Sequence, residues 1–115
     1  MKFPSVKAGT RALKLNTGAS MPIVGLGTWQ SKPHQVEEAV QVALKNGYTH
    51  IDCAWIYGNE DEVGKGIKAS GVKREGIFVT TKLWGTYHRR IEENLDISLK
   101  KLGLDYVDLY LVSFF

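Results

Sequence analysis

Four β-rich runs recur about every 25 to 30 residues, and an amphipathic helix pattern separates each run from the next. Such alternation indicates a parallel sheet whose strands are joined by right-handed helical crossovers. The last run is nearly continuous in apolar residues, which is typical of a strand buried on both faces. Four strands cannot close a barrel, so the pattern fits either a small free-standing α/β sheet or the front half of a (β/α)8 barrel. The runs are Val24–Thr28, Tyr48–Asp52, Ile77–Thr81 and Tyr106–Val112.

A β-hairpin is predicted ahead of the first of these strands. Two short β-prone runs, residues 12–15 and 21–23, flank the Asn-Thr-Gly turn signal of residues 16–18. The stretch before them, residues 1–11, is a short polar lead-in. We therefore expect one domain over residues 12–115.

Cap and stop signals bound the three amphipathic helices. The first has Ser31 as a candidate N-cap, Pro33 in its first turn and Gly47 as its stop. The second begins at Asn59, and the acid three residues later, Glu62, would complete a capping box. Two glycines inside this second helix weaken its pattern. The second helix is predicted to end near Gly71, and the third to run from about Arg89 to Leu102.

Composition excludes several classes of protein. The 115 residues include one cysteine, which cannot form an internal disulfide, and no Cys and His cluster has metal-ligand spacing. The formal charge of +3 is spread along the chain without a nucleic-acid reading motif. No apolar run approaches the roughly 20 residues that span a bilayer. We therefore expect a cytoplasmic protein that binds neither nucleic acid nor membrane, and no metal site.

Polar and aromatic residues collect at the carboxyl ends of the predicted strands, where α/β enzymes place their sites. A group that could carry out proton transfer there consists of Asp52, Tyr57 and Lys82. A phenol with a pKa of about 10 is a poor proton donor near neutrality, but a nearby ammonium favours its ionised form. An aspartate paired with the lysine would hold that lysine charged and in place. Such a tyrosine could give a proton to a carbonyl oxygen as a hydride reaches the carbon.

Each of these residues also has a purely structural interpretation. A tyrosine after a strand is often packing, an aspartate at a strand end is often a cap, and a lysine is often only a solvated charge. Trp29 and Trp84 could line an apolar pocket or simply pack. Cys53 is expected to be a small buried filler rather than a nucleophile. The Gly25-x-Gly27 pair is not a dinucleotide fingerprint, because the third glycine and the following helix are missing.

A long segment of the chain resembles the signature of the aldo-keto reductase family. It runs from Gly47 to Ala54 and continues through Tyr57 and the Asn-Glu-x-Glu-Val-Gly stretch of residues 59–64. The similarity covers almost all of the chain beyond the first ten residues. It extends to the family's first barrel strand (residues 24–29), its lysine-bearing third strand (81–84), and its third helix and fourth strand (95–111). The amino-acid sequence of residues 27–31 and 52–54 is similar to that of fungal reductases of sugars and glycerol-type aldehydes.

The resemblance implies an N-terminal hairpin that plugs the bottom of a (β/α)8 barrel, and NADPH-dependent reduction of aldehydes and ketones. It implies that Tyr57 is the proton donor, that Lys82 lowers the pKa of this phenol, and that Asp52 pairs with Lys82. Thr28, Trp29 and Asp52 would contact the cofactor. Trp29, Tyr57 and Trp84 would contact a small carbonyl substrate.

Two departures from the family pattern leave two hypotheses open. The chain reads Ser113-Phe114-Phe115 where the family has a histidine, commonly followed by Trp-Pro, and Thr49 stands where arginine is usual. Losing one polar donor could cost on the order of 2.7–4 kcal/mol in the barrier. The match also stops after Val112, which favours a truncated product. Either the chain is a weak or inactive reductase by descent, or it is a non-catalytic half barrel that associates with itself or with another chain through open sheet edges.

Overall fold

The computed structural model describes residues 11–113, so the expected lead-in lies almost wholly outside the described residues, as do the last two phenylalanines. Strands β1 (Ala12–Lys14) and β2 (Ser20–Pro22) pair antiparallel, with Ala12 opposite Pro22. Gly18 lies in the turn between them with a φ of 90°, a left-handed conformation that glycine adopts without strain. The predicted hairpin is confirmed.

Four further strands form one parallel sheet in the order β3-β4-β5-β6. The structure therefore confirms the parallel sheet with helical crossovers. The first two strands are shorter than predicted, whereas the third extends three residues further. Their bounds are β3 Leu26–Gly27, β4 His50–Asp52, β5 Phe78–Trp84 and β6 Leu109–Ser113.

The three helices are α1 (Val36–Lys45), α2 (Glu60–Ser70) and α3 (Ile91–Leu102). The predicted start of α1 is wrong, because Ser31 and Pro33 lie in the loop before it and Gln35 occupies the N-cap. A cap signal describes only local hydrogen bonding, and here the chain between β3 and α1 continues as a loop. No helix within residues 11–113 combines the length and apolar character needed to cross a membrane.

The predicted capping box of α2 is also wrong. Asn59 does precede the helix, but its side chain makes no cap hydrogen bond; its Nδ2 donates to Thr28 O at 2.9 Å instead. The Glu62 side chain accepts a hydrogen bond from the backbone N of His34 at 2.9 Å. Both side chains are used for contacts with distant loops, which a local motif does not reveal.

The two glycines inside α2 allow close packing between helices. A Cβ added at Gly64 would overlap the Leu102 carbonyl oxygen of α3, and one added at Gly66 would lie 2.6 Å from Glu37 O of α1. Glycine lowers helix propensity by about 1 kcal/mol relative to alanine, but here it lets α2 contact both neighbouring helices at backbone distance.

The hydrophobic core lies between the sheet and the three helices. The expectation that the last strand is buried on both faces is wrong, because Leu111 is 40% and Val112 is 65% exposed. In residues 11–113, β6 is an edge strand that pairs with β5 alone. The buried core residues are Val36, Val40, Leu44, Ile51, Cys53, Val63, Ile67, Ile77, Val79 and Leu102.

Candidate active site

The carboxyl ends of β3, β4 and β5 meet at one edge of the sheet. Asp52 is the last residue of β4, and Lys82 lies near the end of β5. Tyr57 ends a short 3-10 turn, Trp55–Tyr57, that follows β4 directly, and Gly58 closes this turn with a φ of 71°. The structure thus brings together the three side chains that the sequence analysis selected as a catalytic group.

Lys82 is the centre of this group. Its ammonium donates hydrogen bonds to Asp52 Oδ1, to Cys53 O at 3.0 Å and to Tyr57 Oη at 3.3 Å. An ammonium has three N–H donors, so all three have partners here. The side chain of Lys82 is 15% exposed and that of Asp52 is 44% exposed. The ammonium is therefore held in one position at the rim of the sheet.

The environment of Lys82 keeps it charged. Burial lowers the pKa of Lys82, but the hydrogen bond and negative charge of Asp52, followed by the interactions with Tyr57, outweigh burial and raise this pKa above its ordinary value. Because Tyr57 Oη accepts from a lysine that stays protonated, its own O–H bond is left to point at another acceptor. The arrangement can therefore deliver a proton from Tyr57 to an oxygen atom nearby.

The remaining predicted site residues lie around this group, with different exposure. Thr28 is buried, and its Oγ1 donates to Asp52 O at 3.1 Å, so its hydroxyl supports the strand end. Trp29 follows it and is 65% exposed, which leaves its indole open for contact with a ligand. Trp84 is half-buried at the end of β5. Cofactor and substrate contacts of these three residues stay predictions.

Two aromatic residues near the site were not selected from the sequence. Trp55 packs edge-to-face against Tyr87, with ring centroids 5.1 Å apart. Trp55 belongs to the turn that carries Tyr57, and Tyr87 belongs to the 3-10 turn Gly85–Tyr87 after β5. The contact joins the two loops that flank the Asp52–Lys82 pair. Nothing in the spacing of these aromatics indicated it.

A buried carboxylate, Glu60, was also missed as an individual residue. It is 1% exposed and accepts hydrogen bonds from Thr81 Oγ1 at 2.6 Å and Ser98 Oγ at 2.9 Å. Burial, first of all, raises the pKa of this carboxyl above its ordinary value. A signal did exist, because Glu60 lies on the same helical stripe as the buried Val63 and Ile67.

Cys53 is confirmed as a buried filler. It is fully buried, and its Sγ donates to Thr80 O at 3.1 Å. Burial, followed by the charge of Glu60, raises the pKa of the thiol to about 12, so little thiolate forms near neutrality. In the described part of the chain, no group of three or more His, Cys, Asp or Glu residues is arranged to hold a metal ion.

Comparison with known proteins identifies the family. A family model described as "Aldo/keto reductase family" matches residues 23–115. This chain belongs to the aldo/keto reductase family. Among curated members, it is 65% identical over 103 residues to glycerol 2-dehydrogenase (NADP(+)) of Saccharomyces cerevisiae, covering 90% of this chain and 33% of that protein. It is 59% identical over 108 residues to an aldehyde reductase of the same yeast, covering 94% and 35%.

A solved structure of the family agrees with the fold. The crystal structure of an aldo-keto reductase from a Medee basin deep-sea metagenome library matches with a TM-score of 0.86 and 55% sequence identity, covering 90% of this chain and 39% of that chain. The present chain spans about a third of the length of the curated relatives it matches.

Proposed function

We propose that this chain carries the proton-donating part of an NADPH-dependent carbonyl reductase site, with Tyr57 as the donor. The observation that carries the proposal is the single ammonium of Lys82, which contacts Asp52, Cys53 O and Tyr57 Oη together. A positively charged donor on the phenol oxygen stabilises the negative charge that remains when the phenol proton passes to a substrate. Asp52 holds that donor in place.

The residues fit the reactive end of a nicotinamide cofactor. The Asp52–Lys82–Tyr57 group is polar and only half-buried, and the exposed indole of Trp29 follows the adjacent strand. A flat ring and a carbonyl group need such a combination of an apolar wall and one oriented hydroxyl. Bound NADPH would supply the hydride. Thr28, Trp29 and Asp52 would lie on the cofactor side of the site, and Trp29 and Trp84 would bound the substrate side.

In the proposed reaction, the chain's own residues orient the substrate and move one proton. The carbonyl oxygen of the substrate accepts a hydrogen bond from Tyr57 Oη. As hydride adds to the carbonyl carbon, the O–H bond of Tyr57 breaks and a new O–H bond forms on the substrate, which leaves as an alcohol. Lys82 stabilises the negative charge that remains on Tyr57, and solvent restores the proton.

Small hydroxylated aldehydes and ketones are the proposed substrates. The relatives named glycerol 2-dehydrogenase (NADP(+)) and D-galacturonate reductase are 65% and 61% identical to this chain over the matched residues. Both names describe chemistry on a small polyhydroxylated carbon chain. A cytoplasmic site of action stays a prediction.

We also propose that β3 to β6 correspond to the first four strands of a (β/α)8 barrel, within one domain that starts at residue 12. The sequential parallel order and the three helices packed on the sheet support this assignment. The N-terminal hairpin would lie across the bottom of the barrel. The contact between His50 Nδ1, at the start of β4, and Pro22 O of the hairpin, 2.9 Å long, supports this placement.

A second candidate function is non-catalytic self-association through the sheet edges. Val112 is 65% exposed on β6, and in residues 11–113 both β3 and β6 pair with one neighbour only. An exposed apolar edge strand is a template for pairing with another copy. Sedimentation velocity on the parent chain and on Val112→Lys would show this as a concentration-dependent dimer that the charged variant loses.

The catalytic proposal is tested by removing the Tyr57 hydroxyl. NADPH oxidation with glyceraldehyde is measured for the whole chain, and for a chimera in which residues 12–112 replace the matching segment of the yeast glycerol 2-dehydrogenase. We expect Tyr57→Phe to lower turnover by about 10²–10⁴-fold, because proton transfer contributes that much. Tyr48→Phe is the matched control, since Tyr48 is 43% exposed and outside the site. A folded chimera in which Tyr57→Phe keeps the parent rate would contradict the proposal.

A further inference from the structure

Glu60 links the segment that carries Tyr57 to the strand that carries Lys82. It is the first residue of α2 and follows Tyr57 by three positions. Its Oε2 accepts the hydrogen bond from Thr81, which directly precedes Lys82 in β5. Its Oε1 accepts from Ser98 of α3. The Glu60 carboxylate thus connects the segment that follows Tyr57 to Thr81, the residue next to Lys82.

Stability alone does not account for a carboxylate at this position. Both oxygens of Glu60 are bonded to neutral hydroxyls, and the residue is 1% exposed. Burying a charge is costly, and burial raises the pKa of this carboxyl above its ordinary value although the hydroxyl donors and the charge of Lys101 lower it. The same helical stripe continues with Val63 and Ile67, so an apolar residue would suit the surrounding core. The hydrogen bonds of Glu60 therefore call for another explanation.

Strand geometry shows how this contact reaches the site. Successive side chains of a strand point to opposite faces, so Thr81 faces the helices while Lys82 faces the other side. A displacement of β5 at Thr81 moves the backbone of Lys82 with it. The hydrogen bond from Lys82 Nζ to Tyr57 Oη is 3.3 Å long, near the outer limit of such bonds, so a small displacement would break it.

We propose that Glu60 is a positioning residue, which sets the separation of Tyr57 and Lys82 by holding Thr81 against the start of α2. The inference rests on the proposed function for its consequence in catalysis, but the geometric claim concerns the described residues alone. The hydrogen bond between Glu60 and Thr81 positions the site, whereas the hydrogen bond between Glu60 and Ser98 attaches α3.

The test compares the loss of each of these two hydrogen bonds in the whole 115-residue chain. NMR titration of chains with labelled lysine measures the pKa of Lys82, to which Tyr57 contributes by raising it. We expect Thr81→Val to lower this pKa relative to the parent, because the Tyr57 contact is lost. Ser98→Ala removes a hydroxyl donor from the same carboxylate and is expected to leave the Lys82 pKa unchanged. Thr81→Ser keeps the hydroxyl and is expected to restore the parent value.

Equal pKa values of Lys82 in Thr81→Val and the parent, or equal changes in Thr81→Val and Ser98→Ala, would overturn the proposal. If Thr81→Val does not fold, Glu60→Met replaces it, because methionine has a similar length and removes the acceptor oxygens. A Lys82 pKa equal to the parent's in that variant would overturn the proposal in the same way. The readout needs no turnover. Failure of the reductase proposal would instead appear as unchanged turnover in Tyr57→Phe, so the two failures are distinguishable.

Discussion

An ion pair lies at each end of the parallel sheet, and the two pairs differ in the groups that accept the other hydrogen bonds of their cations. At the amino ends, Arg74 bonds to Asp108 at 2.8 Å and also to the backbone oxygens of Ile77 and Tyr106, at 2.7 and 2.9 Å. Asp108 accepts from the backbone N of Val79 at 2.8 Å. At the carboxyl ends, Lys82 bonds to Asp52 and to the titratable hydroxyl of Tyr57.

The difference separates a structural pair from a chemically usable one. The guanidinium of Arg74 lies over the face of the Tyr106 ring, 4.0 Å from its centroid, and its hydrogen bonds go to Asp108 and to backbone oxygens. The Asp52 carboxylate is 44% exposed, against 23% for Asp108. An open pair whose cation donates a hydrogen bond to a phenol oxygen can act on a ligand, whereas a more closed pair bonded to the backbone fixes two strand starts.

The largest expected effect comes from breaking the pair at the carboxyl ends. In the chimera, Lys82→Met should lower kcat/KM by about 10²–10⁴-fold, because the charged donor on Tyr57 is lost. The thermal midpoint should also fall, because Asp52 and Cys53 O lose a hydrogen-bond donor, so kcat/KM is compared per folded molecule. NADPH oxidation and a circular-dichroism melt check the two parts. A variant with the parent's kcat/KM would show that the contact with Tyr57 has no catalytic role.

At the amino ends, a loss of stability without a loss of turnover is expected. Arg74→Met should lower the free energy of unfolding by about 1–3 kcal/mol, because the Asp108 carboxylate and two backbone oxygens lose their donor. Turnover per folded molecule of the chimera should stay at the parent level. Urea unfolding and active-fraction kinetics measure these quantities. Loss of turnover in a folded Arg74→Met protein would remove the distinction between the two pairs.

The sequence predicted the elements that depend on periodicity and on strand ends. The parallel sheet follows from alternation, and the Asp52–Lys82 contact follows because neighbouring parallel strands end at one edge. Contacts set by tertiary packing were not predictable in this way. Asn59 is a residue type that often caps helices, yet its side-chain amide donates a hydrogen bond to Thr28 O. Glu60 resembles a surface acid at a helix start, and only its place on the buried stripe indicates otherwise.

The coupling between Lys82 and Tyr57 is the central claim, and it is measured most directly by NMR titration of Lys82 in Tyr57→Phe. Burial lowers the pKa of Lys82, but the hydrogen bond and charge of Asp52, followed by the interactions with Tyr57, raise it above its ordinary value. Removing the hydroxyl should therefore lower this pKa relative to the parent, with the Asp52 contact intact. An unchanged Lys82 pKa in the folded variant would mean that ammonium and phenol are not coupled, and would contradict the account.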